Sequence, residues 1–301
     1  MRLSSVHFIL TYQCNFECDH CFLHCSPRAK GTFTLGRLKA ALGQLKEVKS
    51  IKSVGFEGGE PFLFYPLLLA CVKSAAAMGF ETAIETNTFW ATSVEDARLW
   101  LKPLREAGLS LLEVSDDAYH HGDNCEDSAK CALIAAQNEM LRCNTICINP
   151  PGAEKSAARD RGVPIYSGGP KLRGRAIEKL IDGLPTQPWD TFTECTLEDL
   201  RDPKRVHIDA YGHVHLCQGI SMGNIWETPL AEMLRAYNPD AHPICGPLLD
   251  RGPVELVQRY NVDHAAEYVD ECHLCSQACL ALVDRFPQYL APRQVYGAEE
   301  V

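Results

Sequence analysis

Three cysteines near the N-terminus, Cys14, Cys18 and Cys21, form a C-x3-C-x2-C triplet in the run TYQCNFECDHCF. Three thiolates on one short loop can ligate three irons of a [4Fe–4S] cluster, since each iron normally takes one protein ligand. The fourth iron then stays open to another ligand, so the triplet predicts a reactive cluster. Zinc is the alternative, because thiolates also select Zn²⁺ and because Cys25 and His20 could complete a four-ligand set.

Length and composition limit the classes of protein to which this chain can belong. Its 301 residues suit one large domain or two smaller ones. The net charge is -10 and no long basic tract is present, so no nucleic acid partner is expected. No run of about 18 apolar residues is present, and the N-terminus lacks a cleavage-site pattern, so no membrane span is expected. These features predict a cytoplasmic protein.

The 15 cysteines are many for a protein of the cytoplasm, where disulfides rarely persist. Clustered cysteines there are more consistent with metal binding than with disulfides. One group lies near the N-terminus and a second lies in the last third of the chain, at Cys195, Cys217, Cys245, Cys272, Cys275 and Cys279. The isolated ones are interpreted as small buried residues, namely Cys71, Cys125, Cys131, Cys143 and Cys147.

The first 182 residues alternate between strand-like and helix-like segments. Strands are predicted at Ser4–Thr11, Ser53–Glu57, Thr82–Thr86, Leu111–Ser115, Asn144–Asn149 and Val163–Ser167. Helices are predicted from Thr34, from Pro66, from Ser93 and over Glu126–Arg142. Six such repeats imply a parallel sheet, and they are too few for an eight-fold barrel of about 250 residues. The pattern therefore predicts an α/β fold, a partial (β/α)6 TIM-like barrel over residues 1–182.

Residues 183–301 differ from this pattern and are predicted to form a small, cysteine-rich α+β domain. The run LPTQPW is a candidate linker, and RVHIDAYGHVHLC predicts a hairpin that turns near Tyr211–Gly212. A short helix is expected in TPLAEMLRAY. The rest is interpreted as loop-rich with little apolar material for a core, so a metal ion is expected to stabilise its fold.

Polar residues follow several predicted strands, at the end of a barrel where chemistry is usually placed. Strand two leads into Gly58-Gly59-Glu60-Pro61, in which the glycines let the backbone approach a ligand and Glu60 can accept from an ammonium group. Strands three and four end in Glu85-Thr86-Asn87 and in Ser115-Asp116-Asp117. Each run taken alone could also be an ordinary turn or cap.

The cysteine triplet directly after the first strand and the GGEP run after the second resemble the radical S-adenosylmethionine (SAM) superfamily. The resemblance implies that the amino and carboxylate groups of SAM chelate the open iron, and that Gly58, Gly59, Glu60 and Pro61 bind the amino group. It also implies reductive cleavage of SAM to a 5′-deoxyadenosyl radical, which abstracts a substrate hydrogen. Electrons would come from a flavodoxin or a ferredoxin-like partner.

The same resemblance implies roles for further residues. Thr86 and Asn87 would lie beneath SAM, Ser115 and Asp117 would contact its ribose or carboxylate, and Arg175 would meet its carboxylate. An exposed arginine is the alternative for Arg175. Weak candidates for catalytic side chains follow strand four, although histidine pairs are also common on loops, and they are Asp117, Tyr119, His120 and His121.

The C-terminal cysteines, together with Gly212-x4-Cys217, resemble the auxiliary-cluster domains called twitch and SPASM. The terminal run is only C-x2-C-x3-C, which is shorter than a full SPASM series. We therefore expect one auxiliary [4Fe–4S] cluster, with Cys279 able to replace one ligand, held by Cys195, Cys217, Cys272 and Cys275. Zinc is the alternative occupant, and Cys245 could be a spare thiol.

The expected function is that of a radical SAM enzyme, and the substrate is the least constrained part. Relatives of this architecture often modify ribosomally made peptides, which is the favoured class. The leader-binding domain of some peptide modifiers would need tens of residues before Cys14 and is not expected here. This weakens the peptide class without excluding it, because a separate protein can supply the recognition. Radical oxidation or rearrangement of a small molecule is the alternative. A metal-stapled electron-transfer or binding protein is the non-enzyme alternative, but such a protein needs no GGEP run.

Overall fold

The computed structural model describes residues 1–121, 128–156, 159–165 and 169–298. Its strands are β1 (Ser5–Thr11), β2 (Ser53–Gly58), β3 (Glu81–Thr86), β4 (Leu111–Ser115), β5 (Arg142–Ile146), β6 (Gly152–Ser156), β7 (Arg159–Ile165), β8 (Gln187–Pro188), β9 (Arg205–Asp209), β10 (His213–Cys217), β11 (Ile220–Asn224) and β12 (Glu267–Tyr268). Its helices are α1 (Leu35–Lys46), α2 (Tyr65–Ala77), α3 (Val94–Glu106), α4 (Ala118–His121), α5 (Ser128–Asn138), α6 (Arg175–Lys179), α7 (Leu230–Ala236), α8 (Cys245–Tyr260) and α9 (Glu271–Leu282).

One sheet of eight strands, in the order β11-β10-β9-β1-β2-β3-β4-β5, organises the molecule. Strands β1 to β5 pair in parallel, and β9 pairs in parallel with the other edge of β1. Strands β10 and β11 extend that side by antiparallel pairing. The predicted α/β class, with six parallel strands, is confirmed.

The identity of the sixth parallel strand differs from the prediction. The part of Val163–Ser167 that the structure describes belongs to β7, which pairs antiparallel with β6 in a separate two-stranded sheet. The sixth strand is β9, in register with β1 from Ser5↔Arg205 to Ile9↔Asp209. The pattern of a segment predicts a strand but not its partner, and this partner lies far away in sequence. The sheet therefore crosses the predicted domain boundary after residue 182, which stays a prediction.

The helix starts follow local capping chemistry and agree with the sequence. Thr34 caps α1 by accepting a hydrogen bond from the backbone N–H of Arg37, and Ser93 caps α3 by accepting one from Asp96. Pro66 lies in the first turn of α2, where a missing N–H costs nothing. The predicted helix over Glu126–Arg142 is shorter, because its described part ends at Asn138 and Arg142 already begins β5.

The prediction of a loop-rich C-terminal part with little apolar material for a core is wrong. Helices α8 and α9 supply fully buried side chains such as Val254 and Leu274, which join the same core as Phe8 and Phe56. The helical pattern of α8 is hard to recognise because the helix is kinked at Arg251 and Gly252 and is followed there by Pro253. The C-terminal part thus packs on the shared core instead of relying on a metal alone.

The isolated cysteines are not all buried. Cys71 is fully buried in α2, Cys131 and Cys143 are partly buried, and Cys147 is exposed. Cys125 lies outside the described residues, as do Tyr166 and Ser167 of the predicted sixth strand. Among the helices that the structure describes, none is long and apolar enough to traverse a bilayer.

Replacing Ile208 by alanine should lower the free energy of unfolding by about 2–5 kcal/mol, because its side chain is fully buried opposite Phe8 of β1. Urea unfolding under anaerobic conditions, followed by circular dichroism, measures this. Leu99→Ala is the control, since Leu99 is 75% exposed and should change stability by no more than about 0.5 kcal/mol. Equal effects for the two variants would contradict the placement of β9 in the main sheet.

Candidate metal and cofactor site

The predicted cysteine triplet lies on the loop that follows β1. The loop folds back on itself, with the Cys14 N–H donating to the Ser26 carbonyl oxygen and the Cys21 N–H donating to the Cys18 carbonyl oxygen. Cys14 is buried, while Cys18 and Cys21 are partly buried. One cavity of about 250 Å³ is lined by all three cysteines together with other predicted residues, Gly58, Gly59, Thr86, Asn87, Ser115 and Asp117. Cys25 and His20 line it as well.

The two glycines that follow β2 lie against the backbone that leads into Cys14. A Cβ atom on Gly59 would lie 2.1 Å from the Gln13 carbonyl oxygen, and one on Gly58 would lie 2.3 Å from the Thr11 carbonyl oxygen. Gly58 also has a φ of +129°, which other residues rarely adopt. The Gly59 N–H donates to the Thr11 carbonyl oxygen at 2.7 Å. Glycine is therefore required here for the close packing of two strand ends.

The Glu60 carboxylate has protein donors on both oxygens. Oε1 accepts from the Phe62 N–H at 3.0 Å and from the Thr86 hydroxyl at 2.9 Å, and Oε2 accepts from the Asn87 N–H at 2.8 Å. Glu60 is fully buried and is not part of the cavity wall. Burial raises the pKa of this carboxyl to about 7. The geometry gives Glu60 the task of fixing the end of β3 rather than meeting an ammonium ion in the cavity.

Asn87 links the end of β3 to the cysteine loop. Its side-chain amide donates to Asn15 Oδ1 at 2.9 Å and lies 3.7 Å from Cys14 Sγ, while its oxygen accepts from the Phe89 N–H. The Phe16 N–H also points at Cys14 Sγ, at 3.4 Å. Hydrogen bonds of this kind stabilise a ligating sulfur. Asn87 therefore orients the first cysteine, which its sequence context alone does not reveal.

The thiols differ in acidity in the absence of a metal. Burial raises the pKa of both Cys14 and Cys18 to about 12. A hydrogen bond from the Cys25 thiol lowers the pKa of Cys21 to about 6. Metal ligation requires thiolates, so a metal must displace the protons of the first two cysteines.

Asp117 caps the short helix α4. Its Oδ1 accepts from the backbone N–H groups of Tyr119 and His120 and from His120 Nδ1 at 2.8 Å, and its Oδ2 accepts from the Ile148 N–H. Burial raises the pKa of Asp117, but the hydrogen bond and charge of His120, with the Ile148 N–H, lower it by more. Asp117 is thus a fixed, ionised carboxylate at the cavity wall.

An aromatic and imidazole group lies beside Asp117. The His20 ring is 4.7 Å from the Tyr119 ring and 5.0 Å from the His120 ring. His20 Nδ1 and the Tyr119 hydroxyl are buried without a hydrogen-bond partner among the described residues. Burial lowers the pKa of His20 to about 4, so this imidazole is neutral at pH 7. The side chain of His121, the last residue of α4, lies outside the described part of the structure.

Arg175 contacts the protein where the sequence predicted a ligand contact. Its Nη1 donates to the Cys18 carbonyl oxygen at 3.0 Å and its Nη2 donates to the Cys25 carbonyl oxygen at 2.7 Å. Its backbone N–H donates to the Cys21 carbonyl oxygen. The guanidinium is buried, so the alternative of an exposed arginine is wrong. Arg175 holds the cysteine loop in place, and a contact with a SAM carboxylate stays a prediction.

The C-terminal cysteines also converge. Cys217 ends β10, while Cys272, Cys275 and Cys279 lie at helical spacing on α9. A second small cavity, of about 20 Å³, is lined by four cysteines, Cys195, Cys217, Cys272 and Cys275. Cys279 is fully buried behind them, with its sulfur 3.9 Å from that of Cys275, and Cys245 is buried at the start of α8. Four cysteines that line one cavity are a donor set that suits a thiolate-bound metal centre.

Arg173, which sequence reasoning did not single out, reaches this second cavity. Its Nη1 donates to Cys217 Sγ at 2.7 Å, and its Nη2 is buried without a hydrogen-bond partner among the described residues. A buried donor without an acceptor is costly. This unpaired group fits a site that receives an additional anionic acceptor.

Two further polar clusters line the sheet and were not expected. Glu57 on β2 accepts from His7 of β1 at 2.8 Å and pairs with His207 of β9 at 3.1 Å. Glu85 lies beside Glu57, and burial together with that neighbour raises the pKa of Glu85. His7 and His207 are opposite each other because β1 and β9 pair in register, and the sequence gives no signal for that pairing.

The second cluster connects the two cysteine sites. Asp209 Oδ2 accepts from the Tyr12 hydroxyl at 3.0 Å and from His213 Nδ1 at 3.0 Å, and it lies 3.2 Å from His215 Nε2. Tyr12 precedes Cys14 by two residues, and His215 precedes Cys217 by two. Hydrogen bonds to these imidazoles keep the pKa of the Asp209 carboxyl well below its usual range, in spite of burial. Either cluster has atoms close enough to hold a cation.

Comparison with known proteins agrees with the N-terminal geometry. Residues 8–122 match the family model of the radical SAM superfamily. The chain is 25% identical over 120 residues to a Bacillus subtilis protein named for peptide biosynthesis, YydG. The alignment covers 40% of this chain and 38% of that protein. It is 34% identical over 82 residues to an S-adenosylmethionine-dependent nucleotide dehydratase of Selenomonas ruminantium. This alignment covers 27% of this chain and 29% of that protein.

The chain thus spans well under half the length of these curated relatives. A solved structure of methylornithine synthase aligns at 16% identity with a TM-score of 0.38, covering 51% of this chain and 47% of the other. Residues 8–122 thus match the radical SAM superfamily, a family of enzymes, as the triplet and the GGEP run predict. Membership implies an iron–sulfur cluster that binds SAM.

Gly59→Ala should abolish loading of the N-terminal metal site, because the added Cβ would collide with the Gln13 carbonyl oxygen next to Cys14. Anaerobic reconstitution followed by iron analysis should show a loss of about four irons per chain. Gly36→Ala in α1 is the control, since nothing lies within 4 Å of its added Cβ. Full iron content in folded Gly59→Ala protein would show that the close packing is not needed.

Proposed function

We propose that this chain is a radical SAM enzyme that cleaves SAM reductively and abstracts a hydrogen atom from its substrate. The observation that carries the proposal is the single cavity shared by Cys14, Cys18 and Cys21 with the Gly58-Gly59 backbone. When bound, the cluster with SAM supplies a 5′-deoxyadenosyl radical. A binding or electron-transfer protein would have no need of the glycine backbone and polar side chains that line this cavity together with the cysteines.

The residues of the cavity divide the remaining work between them. Arg175 and Asn87 hold the cysteine loop, and its three cysteines line one cavity. Gly58 and Gly59 are partly buried and line the cavity, where their backbone carbonyl groups would accept from an amine. Asp117 is ionised and held by α4, so it can accept from the hydroxyl groups of a ribose. The neutral His20 ring offers a flat face at the same wall.

We propose a peptide as the substrate. An open cleft of about 720 Å³ adjoins the inner cavity and shares Phe16, Cys18 and His120 with it. A cleft of that size and openness can receive an extended chain, with one residue directed at the cluster. The relative named for peptide biosynthesis supports the same class. A small-molecule substrate is the second candidate, favoured by the likeness to a nucleotide dehydratase.

For the C-terminal site we propose an auxiliary [4Fe–4S] cluster held by four cysteines, which are Cys195, Cys217, Cys272 and Cys275. Electron delivery would come from a reduced flavodoxin or a ferredoxin-like protein. Zinc is the second candidate, because a free volume of about 20 Å³ is closer to the size of a single ion than to that of a cluster.

Metal analysis after anaerobic reconstitution should find about eight irons per chain, and about four after Cys14, Cys18 and Cys21 are all changed to alanine. Cys71→Ala is the matched control, because Cys71 is a buried cysteine of α2 away from both sites. Iron that is unaffected by the triple change would refute the N-terminal assignment. Four irons together with one zinc in the unmodified protein would favour zinc at the C-terminal site.

Cys18→Ala should abolish formation of 5′-deoxyadenosine from SAM under dithionite, since one of the three ligands of the cluster is lost. A variant with Cys272 and Cys275 both changed to alanine should keep this activity, because those residues line the other cavity. Chromatographic quantification of 5′-deoxyadenosine measures both, with circular dichroism to show that each protein is folded. Undiminished cleavage by Cys18→Ala would contradict the mechanism.

A further inference from the structure

The short segment Arg173-Gly174-Arg175 lies between the two cysteine sites and contacts both of them. Arg173 reaches Cys217 of the C-terminal site, at 2.7 Å from Nη1 to Sγ. Arg175 reaches the N-terminal loop through the carbonyl oxygens of Cys18 and Cys25. Two arginine side chains, separated in sequence by one glycine, therefore reach different cysteine sites.

The backbone of this segment is fixed by the N-terminal loop. Gly174 has a φ of +57°, and a Cβ there would lie 2.8 Å from the Cys21 carbonyl oxygen. The Arg175 N–H donates to that same oxygen at 3.0 Å. Because the N-terminal loop holds the backbone at Gly174 and Arg175, the neighbouring Arg173 side chain has a fixed starting point toward the C-terminal site. Its placement among the C-terminal cysteines is a built feature of the fold.

The surroundings of Arg173 are unusual for a guanidinium. The residue is 3% exposed, and none of the ion pairs among the described residues involves it. Its guanidinium donates to the Cys217 sulfur, and Arg173 lines the same cavity as Cys195, Cys272 and Cys275. A buried cation normally needs an anionic partner. Here the available partners are sulfurs.

We propose that Arg173 is a positioning residue of the C-terminal metal centre, where its guanidinium donates to the Cys217 sulfur and stabilises the reduced, more anionic state of an auxiliary iron–sulfur cluster. The inference rests on the proposed auxiliary cluster. Hydrogen bonds to ligating sulfurs and nearby charge are known levers on the potential of such clusters. Removing a cation next to a centre that gains an electron destabilises the reduced form, so the midpoint potential becomes more negative.

The test measures the midpoint potential of the C-terminal cluster in isolation. The Cys14, Cys18 and Cys21 alanine variant serves as background, so that one cluster remains. In this background Arg173→Met removes charge and donors, Arg173→Lys keeps the charge, and Lys179→Met removes an exposed cation of α6 as a control. Anaerobic dithionite titration followed by electron paramagnetic resonance gives the potentials, and metal analysis gives iron and zinc contents.

The expected order of potentials places Arg173→Met below Arg173→Lys, and both below Lys179→Met, which equals the background protein. Equal potentials for Arg173→Met and Lys179→Met at equal iron content overturn the proposal, while leaving the auxiliary cluster intact. Zinc without iron in the background protein overturns both the cluster and this role. If Arg173→Met fails to retain iron, Arg173→Lys decides, and an unchanged potential in that variant overturns the proposal.

Discussion

The contact between the carboxyl ends of β1 and β2 is the constraint on which the rest of the structure depends. Gly58 and Gly59 pass so close to the carbonyl oxygens of Thr11 and Gln13 that no side chain fits between them. This contact places the cysteine loop directly beside the turn that follows β2. Glu60 then fixes the end of β3 through Thr86 and Asn87, and Asn87 returns to the loop at Asn15. Three strand ends are thereby fastened to the loop that carries the cysteine triplet.

Contacts between strand ends also fix the position of the C-terminal part of the chain. Strand β9 adds to the free edge of β1, so the hairpin that ends in Cys217 begins next to the strand that leads to Cys14. Asp209 at the end of β9 accepts from Tyr12, which ties the two strand ends together inside the protein. The segment with Arg173 and Arg175 adds a second link between the sites. The distance between the two cysteine sites is therefore set by the sheet and by these buried polar contacts.

Much of this arrangement could be predicted from the sequence, because it depends on local chemistry. Strand alternation, the caps at Thr34 and Ser93 and the turn residues at Gly58 and Gly59 all act over a few neighbouring positions. The residues at the ends of β1 to β4 were therefore placed at one edge of the sheet correctly. The predictions that failed concern contacts between segments that are far apart in the sequence. Nothing within residues 205–209 reveals that they pair with β1, and the sixth strand of the sheet was instead predicted at residues 163–167.

Side-chain partners were the other limit of sequence reasoning. An arginine in the sequence indicates a cation but does not identify its acceptor. Arg175 was therefore expected to contact a ligand, whereas it donates to the carbonyl oxygens of the cysteine loop. Arg173, two residues away, drew no attention although it enters the second cysteine site. Cys272, Cys275 and Cys279 were interpreted as loop residues, since a helix with three cysteines among twelve residues lacks an obvious apolar stripe.

The central claim is that the N-terminal cysteines leave one iron open to SAM within the cavity beside Gly58 and Gly59. Electron–nuclear double resonance on the reduced protein, with SAM labelled at the amino nitrogen by ¹⁵N, tests this most directly. The account predicts a hyperfine coupling between that nitrogen and the cluster, present in the variant that lacks Cys272 and Cys275 and absent when Cys18 is alanine. A reduced, SAM-saturated cluster at Cys14, Cys18 and Cys21 without any such coupling would contradict it.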